Sequence, residues 1–222
     1  MKMKEKKNTG VKPKVITKLT RGTQILDIGF AQDPNPFLKD PIGIDIQKVQ
    51  KPENYKEIHA VNLNKEKIPF KNEIFDTVIA ADIIEHLENP SLLLRECNRV
   101  LKKDGKFIIS TPHANYWWTI IHNWFLRWIK DDDVGQHLSN WTKLDMVRLL
   151  RRNGFYVEKL WGTEIAIPIL NIKIPVKKFP MLGWIIIYET TKRREPIEEI
   201  YTYDKKGKAI KMSEKNNKEI EH

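Results

Sequence analysis

The sequence predicts an α/β three-layer sandwich built on a mostly parallel sheet. Two observations carry that prediction. Short, nearly continuous apolar runs at Gln24–Ile28, Ile42–Ile46 and Asp76–Ala81 read as strands buried on both faces, and later strands alternate with segments of helical spacing. The composition agrees: 222 residues, 41% hydrophobic and 31% charged, suit one globular core. With a mean hydropathy of −0.51 and no apolar run of about 18 residues, collagen-like, low-complexity and membrane-spanning chains are excluded.

The elements follow in order. Residues 1–21 carry eight Lys and Arg against Glu5, a net of +7, and read as a solvated basic N-terminal arm. A phosphate-binding or membrane-surface arm is the alternative. No apolar stretch follows the charged start, so no secretory signal is expected. The single cysteine, Cys97, forbids an intramolecular disulfide, and the chain is expected to be cytoplasmic. Gln24–Ile28 is the first strand, closed by Gly29. Asp33-Pro34-Asn35-Pro36 then prevents a full helix. Ile42–Ile46 is the second strand, Glu57–Val61 the third and Asp76–Ala81 the fourth.

Asn89 and Pro90 cap and open a helix in which Leu92, Leu93, Glu96, Val100 and Leu101 keep helical spacing, with Gly105 as its expected stop. Lys106–Ser110 is a fifth strand. Thr142 and Asp145 form a capping box for a second helix that runs to Gly154. Tyr156–Trp161 and Trp184–Thr190 complete the strands. The domain is placed at 22–191, with 192–222 a charged, mobile tail of net +2. The domain itself holds only +1, so nucleic acid is not an expected partner.

In an open parallel sheet a ligand sits beyond the carboxyl ends of the strands. The residues there are Asp27 and Gly29, Asp45, Asn62, Asp82, and Ser110 with Thr111. An acid ending the second strand can accept hydrogen bonds from both hydroxyls of a ribose. A nicotinamide enzyme is argued against, because the first loop offers neither G-x-G-x-x-G nor an uninterrupted helix.

These residues resemble the class I S-adenosylmethionine-dependent methyltransferases. Ile25-Leu26-Asp27-Ile28-Gly29 is similar to that family's first motif, and Gly43-Ile44-Asp45-Ile46 to its ribose-binding acid. Ile68-Pro69-Phe70 through Phe75-Asp76, Asp82-Ile83-Ile84-Glu85-His86-Leu87 and Leu101-Lys102-Lys103-Asp104-Gly105-Lys106 resemble its later motifs. The resemblance implies a Rossmann-like fold, a seven-stranded sheet with an antiparallel strand near one edge, and S-adenosyl-L-methionine as cofactor. It also implies site roles. Asp45, with Ile46 beside it, would hold the ribose; Gly29 and Asp27 would hold the amino-acid end; Asn62 and Leu63 would flank the adenine; Ala81 and Asp82 would close the pocket. One departure stands out: the family's first loop is rich in glycine, whereas Gly29-Phe30-Ala31-Gln32-Asp33 has one.

The implied reaction is methyl transfer to a small-molecule, sugar or lipid-linked acceptor, with oxygen as the expected atom. A hydroxyl acceptor needs a base, for which His86, His113 and His137 are the candidates. His137 lies in Gly135–Thr142, which resembles an acceptor-side segment of small-molecule O-methyltransferases. Asp82, Glu85 and His86 resemble a divalent-ion set of ubiquinone-pathway relatives, but metal-free relatives share the Glu-His pair and no metal is expected. Ala81-Asp82-Ile83-Ile84 lacks the Asp/Asn-Pro-Pro-Tyr/Phe of enzymes that methylate amino groups of bases. Two alternatives stay open: a cofactor-free binding module, and an RNA methyltransferase using the basic arm. Residues 116–129 hold ten apolar residues in fourteen, four of them Trp, and Trp117, Ile121, Trp124 and Trp128 form one helical stripe. A sheet-packed helix, a homodimer interface, a lid over the acceptor and a membrane-surface contact all fit that segment.

Overall fold

The computed structural model describes residues 10–117, 120, 138–167, 172–176, 180–197, 201–203 and 209–211. Its sheet has seven strands. They are β1 (Ile25–Ile28), β2 (Ile42–Asp45), β3 (Glu57–Ala60), β4 (Phe75–Ala81), β5 (Leu101–Pro112), β6 (Phe155–Gly162) and, after a hairpin, β9 (Ile185–Lys192). The hairpin is β7 (Glu164–Ile167) against β8 (Ile172–Pro175), and a second pairs β10 (Tyr201–Tyr203) with β11 (Ala209–Lys211). The sheet order is β3-β2-β1-β4-β5-β9-β6. All neighbours run parallel except β9, which is antiparallel to both β5 and β6. The expected fold class is therefore the observed one.

The helices α1 (Val11–Leu19), α2 (Pro90–Val100) and α3 (Lys143–Arg152) cover the two faces. Period-2 alternation decides which strand residues meet which helix. Leu26, Ile28, Val78, Ala80, Phe107 and Ile109 pack with Leu93, Leu94, Cys97 and Val100 of α2 and Met146 and Leu150 of α3. The intervening Ile25, Ile79, Ile108 and Ile187 pack with Ile16 and Leu19 of α1. Asp27, which alternates with Leu26 and Ile28, therefore lies on the α1 side of the sheet.

Three sequence expectations change. The basic segment is not an extended leader throughout, because residues 11–19 form α1 and bury Pro13, Ile16 and Leu19. The helix opened by Pro90, α2, ends at Val100 rather than near Gly105. The amides of Glu73 and Ile74 donate to the carbonyls of Arg99 and Val100 at 3.0 and 2.9 Å, and Leu101 turns extended to pair with Phe75. These bonds take the helix's last acceptors and start β5 early. The segment after Lys192 is anchored at first: Asn98 Nδ2 donates to the Arg194 carbonyl at 2.9 Å, and the Ile197 amide to Arg152 at 2.8 Å. The expected caps are present, with Asn89 and Thr142 accepting from the amides of Leu92 and Asp145.

Candidate functional site

The site grows from the turn after β1. Gly29 takes φ +76°, and its amide donates to the Ile44 carbonyl at 2.9 Å. No helix forms between β1 and β2, as Pro34 and Pro36 lead one to expect. Instead the turn is held from both sides. Asp45, buried at the end of β2, accepts from the Ala31 amide at 3.0 Å and from the Gln47 amide at 2.8 Å. Asn35, also buried, donates to the Pro13 carbonyl and to Thr17 Oγ1, both at 3.1 Å, and so ties the loop to α1.

Asp27 is 4% exposed, and the Tyr55 hydroxyl donates to its Oδ2 at 2.5 Å. Burial pushes the Asp27 carboxyl up to about 7, although the Tyr55 hydrogen bond and the nearby Lys12 charge pull the other way. Tyr55 stacks on Phe30 at a centroid distance of 4.9 Å. The pair lies over Gly43, where a Cβ would come within 2.7 Å of the Phe30 ring.

The far wall comes from the turn after β4. Asp82 takes φ +51°; Ser110 Oγ donates to its Oδ1 at 2.5 Å and Lys12 Nζ to its Oδ2 at 2.8 Å. Lys12 also stands 3.4 Å from Asp33 Oδ2. Burial opposes the charge on Lys12, yet the carboxylates of Asp82 and Asp33 outweigh it and hold its pKa above the ordinary value. A small open cleft is lined by Lys12, Asp27, Gly29, Phe30, Asp33 and Ala81 among others.

At the other end, Ile46 is exposed and Leu63 buried, and Asn62 turns the chain after β3 by accepting from the Asn64 amide at 3.1 Å. The Val61 amide donates to the Asp45 carbonyl at 2.8 Å, which places this turn beside Asp45.

The histidine candidates separate. His113, 5% exposed, follows β5, and burial holds its pKa below the usual value against a backbone carbonyl at Met181. His86 is exposed on the 3-10 turn Ile84–His86. His137 lies outside the described residues, as do Trp118, Ile121, Trp124, Phe125 and Trp128 of the aromatic segment. Its start is described: Tyr116 is buried against Trp184, and Trp117 and Ile120 are exposed. Asp82, Glu85 and His86 do not converge, and no group of three or more His, Cys, Asp or Glu is arranged to hold a metal among the described residues.

Sequence reasoning missed Lys12, Asn35 and Tyr55, and gave Glu85 no proton role. Glu85 is 2% exposed; Thr111 Oγ1 donates to its Oε2 at 3.1 Å, while its buried Oε1 has no hydrogen-bond partner among the described residues. Burial, then the Asp82 charge, raises its carboxyl to about 7. A Glu-His pair after the fourth strand was its only signal.

A family described as a methyltransferase domain matches residues 14–160. An uncharacterized protein of Methanocaldococcus jannaschii is 37% identical over 91 residues, 40% of this chain and 43% of that one. A ubiquinone biosynthesis O-methyltransferase of Pelagibacter ubique is 25% identical over 172 residues, 66% of this chain and 67% of that one. The chain thus spans less than half of the archaeal relative. Among solved structures, a methyltransferase from Thermotoga maritima, described as a possible histamine N-methyltransferase, superposes with a TM-score of 0.68 at 18% identity, covering 82% of this chain and 88% of that one. A Burkholderia thailandensis 1,6-didemethyltoxoflavin-N1-methyltransferase with bound S-adenosylhomocysteine gives 0.56 at 15% identity, covering 85% and 80%. At these identities the structures speak to the fold alone. The match over residues 14–160 takes in β1 through β5 and the loops that carry Asp27, Asp45 and Asp82. The chain belongs to the class I S-adenosylmethionine-dependent methyltransferases.

Proposed function

We propose that the cleft binds S-adenosyl-L-methionine and that the chain transfers its methyl group to a hydroxyl oxygen of a small-molecule, sugar or lipid-linked acceptor. The observation that carries the reading is the convergence of Asp27, Gly29 and Asp45 on one loop at the carboxyl ends of β1 and β2. Asp45 has lone pairs beyond those taken by the Ala31 and Gln47 amides, and these suit the ribose hydroxyls. Gly29, left-handed and within reach of Ile83, lets the backbone come close to the amino-acid end. The exposed Ile46, with Leu63, offers an apolar edge for the adenine.

The cofactor, when bound, supplies a sulfonium methyl open to in-line displacement. The protein's work is then to position the acceptor and take a proton from it. His113 is neutral at pH 7 because burial depresses its pKa, so its ring can accept that proton. It directly follows β5. The apolar composition of residues 116–129, just beyond, supports an acceptor with an apolar or lipid part. The ubiquinone-pathway relative supports oxygen as the atom methylated.

Isothermal calorimetry with S-adenosylmethionine, followed by a mass-spectrometric screen of phenolic, sugar and lipid-linked acceptors, tests the reading. Saturable binding and a methylated product are expected. No binding at millimolar cofactor would replace it with a cofactor-free module.

A further inference from the structure

The first loop spends three of its five backbone hydrogen-bond donors. The amides of Gly29, Ala31 and Asp33 already donate to the Ile44 carbonyl, to Asp45 Oδ2 and to the Phe30 carbonyl, at 2.9, 3.0 and 3.2 Å. An anion entering beside this loop finds few backbone N–H groups to receive it. Yet the amino-acid end of the cofactor carries a carboxylate as well as an ammonium. The cleft is rich in acids, with Asp27 and Asp33 in its lining and Asp82 at its edge, and these suit the ammonium alone. Lys12 lines the same cleft, lies between Asp33 and Asp82, and is 19% exposed at its side chain.

Its position is built rather than incidental. Pro13 and Thr17, on the same short helix, are gripped by the buried Asn35 side chain, and Ile16 and Leu19 anchor α1 in the core. A flexible lysine on such a base keeps its ammonium in the cleft while its partners change.

We propose that Lys12 is the carboxylate-recognition residue of the cofactor site, selecting ligands that carry the amino-acid end over the same nucleoside without it. The proposal rests on the cofactor reading given above and deepens it. Lys12 moves from Asp33 and Asp82 onto the α-carboxylate, and Asp82 accepts from the α-ammonium on Oδ2 while its Oδ1 keeps the Ser110 hydroxyl. Charge is conserved in this exchange, because a zwitterion replaces one set of ion pairs with two.

The test is calorimetry of wild type, Lys12→Met and Lys12→Arg with S-adenosylhomocysteine and with 5′-methylthioadenosine, which has the same adenosine and thioether but no amino acid. Lys12→Met is expected to weaken S-adenosylhomocysteine by about tenfold or more and to leave 5′-methylthioadenosine within about twofold. Lys12→Arg is expected to keep most of the S-adenosylhomocysteine affinity. The 5′-methylthioadenosine arm also reports that the variant is folded. Unchanged S-adenosylhomocysteine binding by Lys12→Met, or an equal loss of both ligands, overturns the proposal. Failure of wild type to bind either ligand overturns the cofactor reading itself.

Discussion

A Cβ on Gly29 would stand 2.9 Å from Ile83 Cδ1, on a backbone already at φ +76°. Gly29→Ala therefore adds left-handed strain to a clash, and chemical denaturation should show a loss of about 1–3 kcal/mol. Asp45→Ala removes the acceptor of the Ala31 and Gln47 amides together with the proposed ribose contact. Calorimetry should read cofactor binding weaker by about 1–3 kcal/mol. If His113 takes the acceptor's proton, His113→Gln should lower kcat by about 10²–10⁴ with little change in cofactor affinity, measured at saturating substrates. The placement of Asp27 and Asp45 near the ends of β1 and β2 was legible because each sits in or closes a short apolar run. Tyr55, Asn35 and Lys12 were not, since each acts on a residue remote in sequence: Asp27 is 28 residues from Tyr55, Pro13 is 22 from Asn35, and Asp82 is 70 from Lys12. No local pattern encodes such pairings.

Among the elements, α1 shows how a helix hides in sequence. Lys12, Lys14 and Lys18 interrupt its apolar residues, and Pro13 looks like a breaker. Pro13 falls in the first turn, however, where its missing N–H would have had no intrahelical partner anyway. Only Ile16 and Leu19 are deeply buried apolar anchors, too few for a periodicity signal. Removing residues 1–9 should leave thermal unfolding unchanged. Removing residues 1–19 should cost about 3–6 kcal/mol, from losing two buried aliphatic side chains and exposing the apolar residues they cover. By contrast, α2 and α3 were readable to within a turn at their starts, because Asn89-Pro90 and Thr142 with Asp145 are local cap signals. The early end of α2 was not, because the amides of Glu73 and Ile74 that stop it lie in a different segment.

For the molecule as a whole, two buried carboxyls set a pH trend. Burial raises Asp27 and Glu85 to about 7 from 3.8 and 4.5. Between those values the folded chain holds protons that the unfolded chain has released, so their effect on stability is destabilising as pH rises. Each can remove up to about 3–4 kcal/mol between about pH 4 and pH 7. Asp76, Glu96 and Glu158 act in the opposite sense: burial pushes each carboxyl up, but hydrogen bonds from Lys102, Arg99 and Lys106, with further nearby donors, outweigh it and hold them low. The difference isolates the buried pair. Asp27→Asn/Glu85→Gln should gain stability relative to wild type as pH rises from about 5 to 8, read by urea denaturation at each pH. A constant offset across that range would contradict the assignment.

The place of β9 between β5 and β6 also governs how the chain is made. Among the described residues β6 has no partner in the sheet other than β9, and β5 leaves one edge open until β9 arrives. On a ribosome, β9 emerges about 30 residues behind β6, a delay of about 1.5–6 s at ordinary rates of synthesis. For that interval two strands expose unpaired backbone at once, the condition under which nascent chains join edge to edge. Chains truncated at residue 180 and released from the ribosome in a chaperone-free extract should therefore aggregate, while chains that extend beyond Lys192 should stay soluble.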